Sequence, residues 1–265
     1  MCVICTSPKG IPQPSAKLIR EMFRANPDGA GYMFARNGEV EIRKGYTTVT
    51  SFLAAIKQEA FAADDAVVYH FRISTQAGKT PEMTHPFPLS EDLADMECLS
   101  CSASIGIAHN GIIRITSDGD RRYSDTAKFI VKYLVKVIRS SDDLRDPACM
   151  ELIDALARSR FALMDGGGYI AYAGSGWSED DSGLRFSNRN HEFTTQHVKA
   201  SVQKCSAGTN NYISKCNFQW PDAWNTEEYA PQSVGNHKQG HKRKGMRNGE
   251  KHPSRPSGLT EYEGV

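Results

Sequence analysis

An α+β fold built on antiparallel sheets is the class this sequence predicts, and three observations lead to it. Stretches with the two-residue period of strands and stretches with the 3.6-residue period of helices come in separate groups, without strict βαβ alternation. A tight hairpin signal, Asn37-Gly38, joins two strand-like runs. No internal repeat stands out along the 265 residues, a length that suits one substantial core with a tail or small second module.

The elements follow in chain order. Val3 and Ile4 form a short apolar start. Ser15 is a good N-cap for a helix to Arg24 that carries Leu18, Ile19, Met22 and Phe23 at helical spacing. Tyr32 to Arg36 and Glu39 to Arg43 read as the two arms of the hairpin. A helix from about Ser51 to Phe61 comes next. The β-branched and aromatic run Ala66 to Arg72 reads as a strand, and so does Ser104 to Asn110, with Ile112 to Ile115 as its expected hairpin partner. Ser124 caps a helix with Phe129, Ile130, Tyr133, Leu134 and Val137 on one face. A further helix near Cys149 to Arg158 precedes strands at Phe161 to Met164 and Tyr169 to Tyr172.

Composition narrows the function classes only a little. A net charge of +1 with 24% charged residues gives the chain as a whole no strong electrostatic preference for a partner. No apolar run reaches the ~18 residues that span a bilayer. Pro12, Pro14, Lys9, Lys17 and Arg20 interrupt anything like a secretory signal, so a cytoplasmic protein is expected. The seven cysteines are an odd number without such a signal, which favours reduced thiols. Cys98 and Cys101 have the spacing of a zinc knuckle, and Cys205 and Cys216 could complete four ligands. Their own ten-residue gap is not a knuckle, so ordinary thiols are the simpler reading and no metal is expected.

From about residue 200 the periodicity fades. Residues 237–255 hold seven Lys or Arg against Glu250, among Gly, Pro, Asn and Ser. This reads as a basic tail, disordered from about residue 231, that either solubilises the chain or makes a weak contact with nucleic acid or an acidic partner.

Chemistry begins at Cys2. A small residue at position two permits removal of Met1, which would place a free α-amine on the same residue as the thiol. A thiol titrates near 8.5 and an α-amine near 7.7 to 8.0, so the amine can take the thiol proton directly or through a water. Asn110-Gly111 ends an apolar strand. There a side-chain amide and an unobstructed backbone N–H could aim at one developing oxyanion, although Asn-Gly is also an ordinary turn signal. Arg72 lies at the end of an apolar strand and can hold a carboxylate through two parallel bonds, or serve as a locally paired edge charge. Asp125, in the first turn of a helix, can take an ammonium group or simply complement the helix dipole. His70 and His109, on strands, read as core histidines. Gly29, Gly31 and Gly78 read as turn or close-approach glycines.

Four strings, Asn26-Pro27-Asp28-Gly29-Ala30-Gly31-Tyr32, His70-Phe71-Arg72-Ile73-Ser74-Thr75-Gln76-Ala77-Gly78, Thr84-His85-Pro86-Phe87 and Ala108-His109-Asn110-Gly111-Ile112, stand in order with Ser124-Asp125 and Cys2. Together they resemble the class II, N-terminal-nucleophile glutamine amidotransferases over roughly residues 2–190. The similarity is greatest to the short stand-alone members of phages and bacteria.

The resemblance implies a four-layer αββα sandwich over residues 1–200, with 201–265 as a C-terminal extension and Cys2 at the start of a central strand. It implies a glutaminase that opens the side-chain amide of L-glutamine through a Cys2 thioester and needs no cofactor. Asn110 and Gly111 would stabilise the oxyanion, while Arg72, Thr75, His85 and Asp125 would grip the substrate under a loop hinged at Gly78. No synthetase-like second domain with a phosphate-binding Gly-rich string is visible, so ammonia is expected to pass to a separate synthase or ligase. A hydrolase of another γ-glutamyl amide, or an inactive member serving as a binding module, are the alternatives. Val3 and Ile73 depart from the family's usual Gly and aromatic residues, which bears on the walls around the substrate. Ser90 to Ser102 lengthens the connection before the Asn-Gly strand, and Leu184 to Asn188 resembles a late structural strand of the family.

Overall fold

The computed structural model describes residues 1–73, 80–114 and 122–192. By contacts the chain divides into Met1–Thr209 and Asn210–Val265, and the second unit lies outside the described residues. The fold is mixed α/β with antiparallel sheets, as the sequence predicts.

One sheet is built from β1 (Val3–Ser7), β2 (Ala30–Arg36), β3 (Glu39–Tyr46), β4 (Val67–Phe71), β6 (Ser100–Ala103), β10 (Ser178–Glu179) and β11 (Arg185–Phe186). Its strand order is β10-β11-β1-β4-β2-β3-β6. The second sheet comprises β5 (Phe87–Pro88), β7 (Ile105–Asn110), β8 (Arg160–Asp165) and β9 (Ile170–Ala173), in that order. Every residue of β1 and β4 is buried, which is why both sit inside the first sheet. Asn37 and Gly38 take positive φ of 54° and 84°, the conformation that a two-residue hairpin requires.

Strand alternation sorts the side chains into distinct cores. Val3, Cys5, Tyr32, Phe34, Val67, Tyr69 and Phe71 pack with Ile19, Met22 and Phe23 of α1 (Ala16–Ala25) and Phe52 of α2 (Val49–Glu59). Phe52 contacts the rings of Phe23, Tyr32, Tyr46, Tyr69 and Phe71. Removing such a ring typically costs about 3–5 kcal/mol. The alternate residues Ile4, Met33 and Val68 meet Ala108, Ala162 and Met164 of the second sheet. Gly106 permits that approach, since a Cβ there would lie 2.5 Å from the sulfur of Met33. On the other face of the second sheet, Ile105, Ile107, Phe161 and Leu163 pack against Phe129, Ile130, Leu134 and Ile153. These come from α3 (Asp125–Phe129), the π-helical turn Ile130–Leu134 that leads into α4 (Val135–Val137), and α5 (Pro147–Ala157).

Helix starts follow their caps. The Ser15 side chain accepts the Leu18 N–H and Ser124 accepts the Ala127 N–H, each satisfying a first-turn donor. One expectation fails: Ile112 to Arg114 form no strand, and β7 pairs with β5 and β8 instead. The reason is local. The Ile113 N–H donates to the Asp125 carboxylate at 2.6 Å, so this segment is tied to the start of a helix and is not free to pair with a strand. β5, β6 and β10 are too short or too polar to show a period of their own. Among the described residues no helix is long and apolar enough to cross a membrane.

Candidate active site

Alternation on three strands directs the candidate residues to one layer. Ile4, Val68 and Ala108 all belong to the core shared by the two sheets. Cys2 stands two residues from Ile4, Arg72 four from Val68, and Asn110 two from Ala108, so each shares its strand's face with that core. Val3 pairs with Phe71, which brings the ends carrying Cys2 and Arg72 side by side.

The Cys2 thiol is half-buried and donates to the Ile73 carbonyl at 3.6 Å. Burial pushes its pKa up. The Ile73 carbonyl contact, the chain's terminal charge and the Arg72 guanidinium pull in the opposite direction without overcoming it. With Met1 attached, the nitrogen of Cys2 is an amide and no base, so this chain holds the sulfur as a thiol.

The backbone around Cys2 is clamped from the far end of the domain. Asn188 donates through Nδ2 to the Cys2 carbonyl at 2.7 Å. The Ser187 N–H donates to the Ile4 carbonyl at 3.0 Å, and Ser187 Oγ accepts the Ile4 N–H at 2.9 Å. Ser187 Oγ also accepts from Asn110 Nδ2 at 2.9 Å. The segment read from sequence as a late structural strand therefore links the nucleophile strand to the Asn-Gly corner. A Ser-Asn pair just past a two-residue strand gives almost no signal in the sequence.

Arg72 is buried, with Nη1 3.4 Å from the Thr80 carbonyl; its N–H donates to the Gly29 carbonyl and its carbonyl accepts the Asp28 N–H. Burial lowers its pKa, while Cys2 and the Asp28 carboxylate act against that shift. The guanidinium is thus held beside the thiol, where a substrate carboxylate would find it. Gly111 has no room for a side chain, because a Cβ would run into Ser159. Asn110 is buried, and its Oδ1 has no hydrogen-bond partner among the described residues.

Asp125 is consumed in part by structure. Oδ2 accepts the Ile113 N–H and Oδ1 accepts the Thr126 N–H at 2.9 Å, so the carboxylate fixes the turn that follows Gly111. Burial raises its pKa and those N–H donors oppose the shift. Carboxylate lone pairs remain for an ammonium group.

His85 is buried among rings, within electrostatic reach of the Arg72 guanidinium. Its ring lies 4.3 Å from His70, 4.7 Å from Phe87 and 6.1 Å from His109, and neither of its nitrogens has a partner among the described residues. Gly31 permits this packing, as a Cβ would strike the His85 carbonyl; at Gly29, φ is +132° and a Cβ would crowd Thr84. His70 and His109 are core histidines, as expected. Burial drives both down to about 3, and it also holds His85 well below its ordinary value. Thr75 and Gly78 lie outside the described residues.

Lys44 escaped the sequence reading. It is buried, with Nζ 2.8 Å from the Glu82 carbonyl, 2.6 Å from that of Met96 and 3.9 Å above the Phe87 ring. Burial lowers its pKa to about 7. Only the apolar period of β3, Val40-Ile42-Lys44, hints that it faces inward. Near it, burial and the hydrogen bond that the Cys101 thiol makes to Cys98 push Cys101 up to about 12. Among the described residues no group of His, Cys, Asp and Glu is arranged to hold a metal ion.

No protein-family model matches this chain, and no curated protein matches it either.

Proposed function

We infer that the chain is an N-terminal-cysteine amidohydrolase of the class II glutamine amidotransferase type, acting on the side-chain amide of glutamine. The observation that carries this reading is the convergence of Cys2, Arg72 and Asn110 on one layer, with Ser187 and Asn188 joining the first strand to the Asn-Gly corner. The three packed cores support the four-layer αββα arrangement that such enzymes use.

The chemistry requires loss of Met1. The freed α-amine takes the thiol proton, and the Cys2 thiolate attacks the δ-carbon of the γ-glutamyl amide. Asn110 and the Gly111 N–H stabilise the resulting oxyanion. As it collapses, the departing nitrogen takes the proton back from the Cys2 ammonium, leaves as ammonia, and a γ-glutamyl thioester remains. Water, deprotonated by the same amine, releases glutamate and restores the thiol. Arg72 holds the substrate α-carboxylate and Asp125 its ammonium group. Ammonia then passes to a separate synthase or ligase.

Intact mass after treatment with the glutamine-analogue electrophile diazo-oxo-norleucine tests the reading in one measurement. Loss of Met1 and a single adduct at Cys2 are expected. A retained Met1, or an adduct that forms equally well in Cys2→Ala, overturns it. Turnover of free glutamine against γ-glutamyl conjugates then identifies the preferred substrate.

A further inference from the structure

Two buried atoms in the site have their hydrogen-bonding unfinished. Ser187 Oγ accepts the Ile4 N–H and Asn110 Nδ2, and its own hydroxyl proton has no acceptor among the described residues. Asn110 Oδ1, on the other end of that amide, is buried with no donor among the described residues. Ser187 itself is fully buried, so no bulk water reaches it. Orphaned buried polar atoms cost stability, and turning the amide over would pair both of these, leaving the two Nδ2 protons to be met by a substrate.

We propose that Ser187 is a positioning residue that holds the Asn110 amide turned over, with the serine hydroxyl donating to Oδ1 and Nδ2 aimed at the substrate. This rests on the amidohydrolase reading above. Turned that way, Ser187 accepts from Ile4 and donates to Asn110, using both of its capacities. Nδ2 then takes the position that the unpartnered Oδ1 holds now, on the side of the amide away from Ser187. In the opposite orientation one Nδ2 proton is still left over, but the carbonyl oxygen is buried beside it, and its negative end opposes a developing oxyanion. The same hydroxyl fixes the Ile4 N–H, so one side chain sets the distance between the nucleophile strand and its oxyanion donor. The amide is preorganised before substrate arrives, which is where such donors gain their catalytic effect.

Kinetics and a neutron structure test the proposal by independent routes. Ser187→Ala should lower kcat for glutamine hydrolysis by about 10 to 100-fold, somewhat less than loss of the amide itself, and leave KM within about twofold. The decisive comparison is the double variant with Asn110→Ala. If Ser187 acts through Asn110, adding Ser187→Ala to Asn110→Ala changes kcat no further. Full additivity, or wild-type kcat in Ser187→Ala, overturns the proposal. Ser187→Cys, of similar volume but a poor donor, gives the same comparison if the alanine variant does not fold. In a neutron structure of the deuterated protein, a deuteron between Ser187 Oγ and Asn110 Oδ1 is expected, and an ND2 group facing Ser187 overturns the proposal. That result decides the matter even if the wild-type protein hydrolyses no γ-glutamyl amide, an outcome that sinks the functional reading alone.

Discussion

Two buried polar regions share strands β4 and β7 and treat their polar groups in opposite ways. On β4, His70 is followed two residues later by Arg72; on β7, His109 is followed by Asn110. The histidines lie among rings, with His109 between Thr126 Oγ1 at 2.7 Å and Ser159 Oγ at 2.8 Å and its ring tilted against Phe161 at 4.5 Å. There burial keeps imidazoles neutral and makes them behave as polar spacers of the core. At the strand ends the groups retain charge or a free hydrogen-bonding valence, and the backbone around them is clamped by Ser187 and Asn188. Burial removes reactivity from the first region and preorganises it in the second. The difference is whether hydrogen-bonding capacity remains turned toward a substrate.

The sharpest way to break this contrast is at the sulfur. Cys2→Ala should lower turnover at least about a thousand-fold without shifting the unfolding midpoint, because Cys2 is a half-buried side chain and its removal leaves the β1 pairing intact. A turnover within tenfold of wild type would place the nucleophile elsewhere. Asn110→Ala should lower kcat by about 100 to 1,000-fold at nearly constant KM, measured by glutamate release. Arg72→Lys should act on the other parameter, raising KM about tenfold or more as the fork is lost, which corresponds to roughly 1.5–3 kcal/mol for a charged hydrogen bond.

The histidine region is probed by pH, and the sign follows from its neutrality. An unfolded histidine takes a proton near 6.5, whereas His70 and His109 in the fold stay neutral down to about 3. The unfolded state therefore binds more protons across that window, and stability is lost as pH falls through it. Denaturant titrations between pH 6.5 and 4 should show this slope, and His70→Gln should reduce it by about 1.4 kcal/mol per pH unit. An unchanged slope would mean that the ring is already charged in the fold. Lys44 acts at the alkaline end, with a slope of the same size per pH unit. Its unfolded pKa of 10.5 falls to about 7 on burial, so stability rises with pH between those values, and Lys44→Met should flatten that rise.

By itself the chain determined the periodicities and the caps. Alternation in β1, β4 and β7 fixes which residues share a face, since period two is a property of extended backbone. Ser15 and Ser124 fix helix starts because an unsatisfied first-turn N–H needs a nearby acceptor, which is a local matter. The same locality made Cys2, Arg72, Asn110 and Asp125 readable as candidates.

Tertiary structure alone decided which polar groups meet. Ser187 reaches Ile4 across 183 residues and Asn110 across 77, distances over which no sequence period survives. Only packing decided that Ile113 would be held by Asp125 and kept from pairing as a strand, and that Lys44 would be buried over Phe87. A hydrogen bond depends on ångström placement in three dimensions, whereas strand and helix periods depend only on neighbours along the chain.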